Sequence, residues 1–353
     1  MKKISWVNSK FIDNNIINEK INKCIETKHF TNGGYNVCEL QKNIKTIFEL
    51  DENKEVLMVC NGAAGLNALV GGLNIYFNKK LKWLVQSFTF PCCVQGILND
   101  SSVIDIDDNM GINYKYLEIN KDNYDGIIIT NCFGCLTNIE LYEKFCKDNN
   151  KILLFDNAAS SFSYYKNKNH LNYGNGCMVS LHHTKPIGFG EGGFIVFDKI
   201  YLETMKKAIC FGYSDTDRLH YDVNAGNYKM SEISCIYIAE YLKNLDNIFK
   251  HHTKIVKYFI ENTKNIKLFP TFGDYSLSLM ATIPVILPFD CDVKHFTENN
   301  IEAKKYYYPL ENKEEAKNIF NKIICLPLNM EVGEAEIDRY IEIINNIIKY
   351  YNI

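Results

Sequence analysis

The sequence predicts an α/β protein. Its large domain has three layers, α/β/α, built on a mixed, mostly parallel sheet, and a small α+β domain follows at the C-terminal end. Three observations carry this. Short apolar runs alternate with amphipathic stretches through the first two thirds of the chain. Strand, helix, strand at that spacing gives parallel strands with helices on both faces. The last two apolar runs of that region have no helix between them, so an antiparallel pair enters the sheet. Near residue 230 the pattern changes to a long helical stretch, then a few strand-like segments and two helices.

Taken in order, the strand-like runs are 55–60, 82–86, 102–106, 126–130, 151–155, 177–181 and 193–197. Residues 66–77, 91–98 and 139–149 lie between several of them and read as amphipathic helices. Residues 231–262 read as one helical region, with Ile233, Ile236, Ala239, Tyr241, Leu242, Leu245 and Ile248 at helical spacing. Strands are expected at 278–287 and 303–308, and helices at 313–322 and 334–351. The last helix opens at Gly333-Glu334, where an early acidic residue suits the positive end of the helix dipole. The expected division is a large domain over 1–234, with its N-terminal segment, and a small domain over 235–353.

A chain of 353 residues with 46% apolar and 23% charged residues has ordinary globular composition and can bury a sizeable core. That apolar fraction excludes disorder as the main state. A net charge of −3 provides no basic field for nucleic acid or an anionic membrane. The longest apolar stretches, such as 281–288, fall far short of the roughly 20 residues of a membrane span. The opening Met1-Lys2-Lys3-Ile4-Ser5-Trp6 has no apolar core behind it, since Asn8, Ser9, Lys10 and Asp13 interrupt it. No secretory signal is expected there. The thirteen cysteines read as reduced thiols in a cytoplasmic setting.

Three segments carry chemistry. The first is Ser180-Leu181-His182-His183-Thr184-Lys185, running on to Gly188-Phe189-Gly190-Glu191-Gly192-Gly193. A lysine just past a strand, once desolvated, loses basicity and can form a Schiff base with an aldehyde. Alone, a loop lysine is more often a solvated surface group. The second is the apolar strand that ends in Asp156 and is followed by Asn157-Ala158-Ala159-Ser160. A carboxylate at the carboxyl end of a parallel strand lies where open α/β sheets bind ligands; a helix N-cap is the equal alternative. The third is Asn61-Gly62-Ala63-Ala64-Gly65, joining a strand to a helix through small residues. Backbone N–H groups there can hold a phosphate, and a simple tight turn is the alternative. It lacks the Lys-Ser/Thr end of a P-loop.

Other signals read as structural. Cys132-Phe133-Gly134-Cys135 has no second ligand pair at metal-binding spacing, so no metal is expected. Cys92-Cys93 is expected to start a buried helix, and His251-His252 to lie on a helix surface. Lys304-Lys305-Tyr306-Tyr307-Tyr308 reads as an edge strand with a solvated face. The glycine-rich 188–193 comes late and precedes a strand, which does not fit a dinucleotide-binding turn.

In this order and spacing the three segments resemble the DegT/DnrJ/EryC1/StrS sugar aminotransferases, pyridoxal phosphate enzymes of the aspartate aminotransferase fold (fold type I). The resemblance covers nearly the whole chain. Thr31-Asn32-Gly33-Gly34 resembles the family's opening motif, and Asn61-Gly62-Ala63 stands where Ser-Gly-Thr is usual. Ser87-Phe88-Thr89-Phe90, Ile104-Asp105-Ile106-Asp107 and Cys132-Phe133-Gly134 follow as in relatives. Asp156, the 180–185 segment and Glu191-Gly192-Gly193 come next. Asn227-Tyr228-Lys229-Met230-Ser231-Glu232 resembles Asn-Tyr-Arg-Met-Ser-Glu, and Cys325-Leu326-Pro327-Leu328 resembles a Leu-Pro-Leu signature.

The resemblance implies roles. Lys185 would form the Schiff base with pyridoxal 5'-phosphate and then shuttle the substrate proton. Asp156 would pair with the pyridinium nitrogen, which keeps the ring an electron sink. Phe90 would stack on the ring, with core packing as the other reading. Gly62 and Ala63 would offer N–H groups and Ser180 a hydroxyl to the phosphate. Asn227 would reach that phosphate from a second subunit, implying a homodimer with shared sites. Thr31, Asn32, His182 and Tyr307 are candidate substrate contacts.

The implied reaction moves the amino group of L-glutamate, by ping-pong kinetics, to a nucleotide-linked 4-keto-6-deoxyhexose carrying UDP, dTDP or GDP. A 4-amino-4,6-dideoxy sugar nucleotide results. The alternatives are a 3-keto sugar nucleotide aminotransferase or a catalytically silent binding relative. Dehydratases of the same family replace the lysine by His, and Lys185 argues against that branch. Three departures stand out. Ala63 lacks a hydroxyl usual at the phosphate, Ala159 stands where relatives often carry Gln, His or Ser, and Lys229 replaces an Arg. The first two remove hydrogen bonds of about 1 kcal/mol each, and Asn61 and Ser160 are candidates to replace them.

Overall fold

A computed structural model describes residues 2–350 apart from 215, 217, 264 and 265. Two helices, α1 (Asn14–Thr27) and α2 (Tyr35–Ile47), precede the first strand, β1 (Lys54–Val59). Then come α3 (Gly62–Phe77), β2 (Trp83–Gln86), β3 (Ser102–Ile104), α4 (Tyr114–Ile119), β4 (Gly126–Thr130), α5 (Ile139–Asp148) and β5 (Ile152–Asp156). A short hairpin, β6 (Tyr164–Tyr165) and β7 (Lys168–Asn169), leads to β8 (Gly176–Ser180), β9 (Gly193–Asp198) and α6 (Leu202–Ile209). The remainder comprises α7 (Glu232–Leu242), α8 (Leu245–Glu261), β10 (Lys267–Leu268), β11 (Ile283–Ile286), α9 (Lys294–Thr297), α10 (Glu314–Lys322), β12 (Ile323–Leu326) and α11 (Glu334–Tyr350).

Seven strands form the large sheet in the order β1-β9-β8-β5-β4-β2-β3. β9 runs antiparallel to both β1 and β8, and the other neighbours are parallel. The sheet is therefore mixed, as the missing helix between the last two runs predicts. β4, β5 and β8 are buried along their whole length, as a strand covered on both faces must be. α3 is apolar nearly all round and packs beneath the sheet with α6, while α2, α5 and α7 cover the other face. α2 begins at Gly34, which has no side chain to cap it. The buried carboxylate of Glu232, at the start of α7, takes the N–H groups of Asn36 and Val37 instead, at 2.9 and 3.3 Å. A Cβ on Gly34 would lie 2.8 Å from Glu232 Cδ, so glycine is what lets the carboxylate in.

Several expected elements differ. Residues 91–98 form two 3-10 turns, Pro91–Val94 and Gly96–Leu98, around an extended Gln95. Gly96 holds a φ of +60°, which no continuous helix accepts. Cys92 and Cys93 are buried there, on a tight turn rather than a helix. Residues 231–262 form two helices. α7 packs into the core against the large sheet, as do Leu245 and Ile248 at the start of α8, while Ile255, Val256 and Phe259 farther along α8 pack with the three-stranded sheet; the break falls at Lys243-Asn244. Asn244 there donates its amide to the Tyr241 carbonyl at 3.2 Å, a side-chain bond that competes with continuing the helix.

Within 278–287 only Ile283–Ile286 is a strand. The preceding amides are drawn to the loops that follow β5 and β4, Leu279 N–H to Phe162 O at 2.7 Å and Ala281 N–H to Phe133 O at 2.8 Å. Residues 303–308 make one bridge, Lys304 to Cys325, and no strand. Beyond it Tyr307 turns into an aromatic cluster, stacked on Phe133 at 5.1 Å and edge-on to Phe88 at 5.7 Å. His252 is not on the surface. It is buried on the inner face of α8, with Nδ1 2.9 Å from Met280 O. Residue 351 of the last expected helix lies outside the described residues. All thirteen cysteines are free thiols. No described helix is long and apolar enough to cross a membrane.

Candidate active site

The C-terminal ends of β4, β5 and β8 and the N-terminus of α3 meet at one edge of the sheet, where ligands bind in open α/β folds. They wall a cavity of about 470 Å³. Gly62, Ala63, Phe90, Asp156, Ser180 and Lys185 all line it, and so do His182 and Tyr307. Thr31, Asn32 and Asn227 do not. Thr31 and Asn32 are exposed, and Asn227 Oδ1 accepts Lys229 Nζ at 2.6 Å.

Asp156 ends β5 and is 1% exposed. Its Oδ1 accepts the Ala158 N–H at 2.9 Å, and its Oδ2 faces the Cys93 thiol at 3.5 Å. The capping alternative is thus half right: one oxygen holds a turn, and the residue still reaches the cavity. Burial raises the carboxyl pKa, and the Ala158 N–H, the Cys93 thiol and the charge of Lys185 oppose that. The Lys185 amine is shifted down by loss of water, partly offset by the charge of Asp156. It belongs to the cavity wall and is not a solvated loop lysine.

Asn61 caps α3, its Oδ1 taking the Ala64 N–H at 2.9 Å and its carbonyl the Gly65 N–H at 3.0 Å. The Gly62 and Ala63 N–H groups have no intrahelical acceptor and serve the cavity. A Cβ on Gly62 would lie 3.0 Å from Met178 Sδ and 3.1 Å from Ser180 Cβ. The helix start is therefore pressed against β8, and that contact places the Ser180 hydroxyl beside the free N–H groups. Ser180 Oγ accepts the His182 N–H at 3.3 Å and keeps its own proton to donate. Ser160 cannot stand in for the hydroxyl missing at Ala63. Its Oγ donates to Asn131 O at 2.7 Å and accepts the Gly134 N–H at 3.0 Å. Phe90 is 52% exposed, which sets aside core packing; the buried neighbour is Phe88.

Several cavity residues escape a reading of the sequence. Trp6 arrives from the N-terminal segment, and Thr130 and Thr282 complete the wall; Tyr306, from the same 304–308 stretch as Tyr307, lines it too. Cys93, fully buried behind the wall, meets the site through Asp156, and nothing in the local sequence marks that contact. Its Sγ lies 3.3 Å from Thr89 Oγ1, which in turn lies 2.6 Å from Thr130 Oγ1. Among the described residues, the possible metal-ligand atoms that converge are those of Cys92, Cys93 and Asp156, within 4.8 Å of one another.

A family model described as the DegT/DnrJ/EryC1/StrS aminotransferase family matches residues 12–345. The chain belongs to this family. The dTDP-4-amino-4,6-dideoxy-D-glucose transaminase of Shigella dysenteriae is 22% identical over 246 residues, spanning 63% of this chain and 66% of that enzyme, just under two thirds of its length. The GDP-perosamine synthase of Vibrio cholerae is 21% identical over 361 residues, spanning 94% of this chain and 95% of that one. Among solved structures, an E. coli GDP-4-keto-6-deoxy-D-mannose-3-dehydratase with bound hydrated PLP superposes with a TM-score of 0.81 at 19% identity, covering 97% of this chain and 99% of the other. At that identity the likeness speaks for the fold, which is the fold type I of pyridoxal phosphate enzymes.

Proposed function

We propose that the protein is a pyridoxal-phosphate-dependent aminotransferase that carries the amino group of L-glutamate to a nucleotide-linked 4-keto-6-deoxyhexose. The observation that carries this reading is the convergence of Lys185, Asp156 and the Gly62–Ala63 helix start on one cavity. The donor set fits the cofactor. Asp156 offers a buried carboxylate for a ring nitrogen, Lys185 an amine for an aldehyde, and the Gly62 and Ala63 N–H groups with Ser180 Oγ suit a phosphate. Bound there, the cofactor supplies an electron sink for the carbon that gives up or takes the proton.

The chain's own residues do the rest. Asp156 holds the positive ring nitrogen in a dry site, where the charge pair is strongest. Lys185, its basicity lowered by loss of water, can take a proton at Nζ and return it. Phe90 presents a ring to a flat ligand. Trp6, Tyr306 and Tyr307 give the sugar side an aromatic wall. Asn227 and Lys229 lie away from this cavity, and we assign them to the neighbouring site of a homodimer. The free thiols support a cytoplasmic location.

The relatives support a sugar nucleotide as acceptor, and Lys185 favours amination over the dehydratase branch. The test is transfer of nitrogen from labelled L-glutamate to a panel of 4-keto-6-deoxy and 3-keto sugar nucleotides, in the wild type and in Lys185→Ala. Release of 2-oxoglutarate matched by labelled 4-amino sugar, absent in the variant, is the expected result. Turnover of 3-keto substrates alone would move the reading to C3 amination. Bound cofactor with no exchange from glutamate would move it to a binding protein.

A further inference from the structure

Residues ahead of α1 run as a strap along the small domain and end against the loop that carries Lys185. Ile4 bridges Ile301, and the Trp6 N–H donates to Glu302 at 2.7 Å. Asn329 Nδ2 donates to Ser5 O at 3.0 Å, and the Ser9 N–H to Glu331 at 3.2 Å. Lys10 then crosses to the large domain. Its Nζ donates to the main-chain carbonyls of Lys185 at 2.7 Å and Gly188 at 2.5 Å, and lies 4.7 Å from the centre of the Tyr241 ring.

We propose that Lys10 is a positioning residue for Lys185: by holding both ends of the 185–188 turn it sets the direction from which the Lys185 amine enters the cavity. The proposal rests on reading Lys185 as the reactive lysine. The Lys185 N–H bonds His182 O at 2.8 Å and the Phe189 N–H bonds Leu181 O at 3.0 Å; both fix N–H groups, and the carbonyls of Lys185 and Gly188 are what Lys10 adds. The Gly188 N–H closes onto Lys185 O at 3.1 Å, the same carbonyl that Lys10 holds. An ammonium with two strong donors, pressed on an aromatic face, makes that carbonyl a fixed point.

Its siting is costly. Burial pulls the Lys10 pKa down to about 7, with no neighbouring carboxylate among the described residues offsetting the loss of water. A lysine whose sole task was to anchor the chain end would keep its head in solvent, as lysine stems allow. The strap also reaches the cavity through Trp6. Small-domain wall and lysine turn are thus held by one stretch of chain.

Amide hydrogen exchange on cofactor-free protein tests the clamp in Lys10→Met, which keeps the stem, and in Lys10→Arg, which keeps the donors. Exchange at Gly188, Phe189 and Gly190 should rise about ten-fold in Lys10→Met, with β4 and β5 unchanged, and return toward wild type in Lys10→Arg. With cofactor and L-glutamate, kcat should fall about ten-fold while KM for glutamate stays within about two-fold, because the amine is misplaced and the substrate contacts are not. Unchanged exchange at 188–190, or equal acceleration across β4 and β5, overturns the proposal. If Lys10→Met does not fold, Lys10→Gln takes its place with the same outcomes. Should the protein transfer no amino group at all, the exchange data still decide whether Lys10 clamps the turn, so the two failures are separable.

Discussion

The thiol of Cys93 lies 3.5 Å from Asp156 Oδ2, across 63 positions of sequence. It gives the buried carboxylate a weak donor where a hydroxyl would give a strong one. The carboxyl pKa is therefore poised between burial, which raises it, and donors that lower it.

Changing that donor should move the pH dependence of cofactor binding. Asp156 must be ionised to pair with a pyridinium. Cys93→Ser strengthens the hydrogen bond to the charged form and lowers the pKa, so affinity should persist to lower pH. Cys93→Ala removes the donor, and the acid limb should move up. Pyridoxal phosphate dissociation constants measured from pH 5 to 8 decide this. Identical profiles for all three proteins would show that Cys93 does not act on Asp156.

Lys185→Ala and Asp156→Asn separate proton transfer from ring pairing. Each should lower single-turnover release of 2-oxoglutarate from glutamate by about 1000-fold or more. Their binding should differ. The Asn variant keeps the size of the side chain but not its charge, so it should bind cofactor more weakly and still take up the aldehyde at Lys185. Near-normal turnover in either variant would place the chemistry elsewhere.

The phosphate cup offers a gain of affinity. Ala63→Ser adds a hydroxyl at an exposed position in the cavity. It should tighten cofactor binding about five-fold, the value of one hydrogen bond near 1 kcal/mol. Ser160→Ala should leave that affinity unchanged, since both bonds of Ser160 go to the backbone. Equilibrium dialysis distinguishes the two. Weaker binding in Ser160→Ala would mean its hydroxyl reaches the ligand after all.

Stability should fall as pH drops from about 6.5 toward 4. His170 sits between the carbonyls of Ser160 and Ser163 at 2.6 and 3.0 Å, and burial lowers its pKa to about 4. His252 is lowered to about 4 by the same cause. Between 4 and 6.5 the unfolded chain binds protons that these buried rings refuse. Their contribution is whole above 6.5 and is lost through that window, on the order of 2 kcal/mol each by pH 5. Asp105 and Asp125, with lowered pKa values, act below their ordinary carboxylate range, and Asp156, raised, opposes the loss. Urea midpoints at pH 7 and pH 5 check it, and equal midpoints would refute it.

The large sheet was legible because strands covered on both faces must be apolar runs, and β4, β5 and β8 are. Lys185, Asp156 and Gly62 were legible because each stands at a strand end or helix start, where local pattern and ligand geometry coincide. The break at Lys243-Asn244 was not, since helical spacing carries on through it and Leu242, Leu245 and Ile248 share one core on either side. Nor was the path of 303–308, where Phe88 and Phe133 decide what Tyr307 does. Cys93 and Lys10 were hidden for the same reason. Their partners lie 63 and 175 positions away, and nothing local marks either contact.

Gly62 and Ala63 are neighbours on one helix turn and have opposite mutational futures. A Cβ at 62 meets Met178 Sδ at 3.0 Å and Ser180 Cβ at 3.1 Å, so those side chains must give by a few tenths of an ångström. Residue 63 is exposed and lines the cavity. Drift or directed selection for tighter cofactor retention can therefore proceed through residue 63 in single steps. Residue 62 can follow that route only where the side chains of Met178 and Ser180 behind it give way.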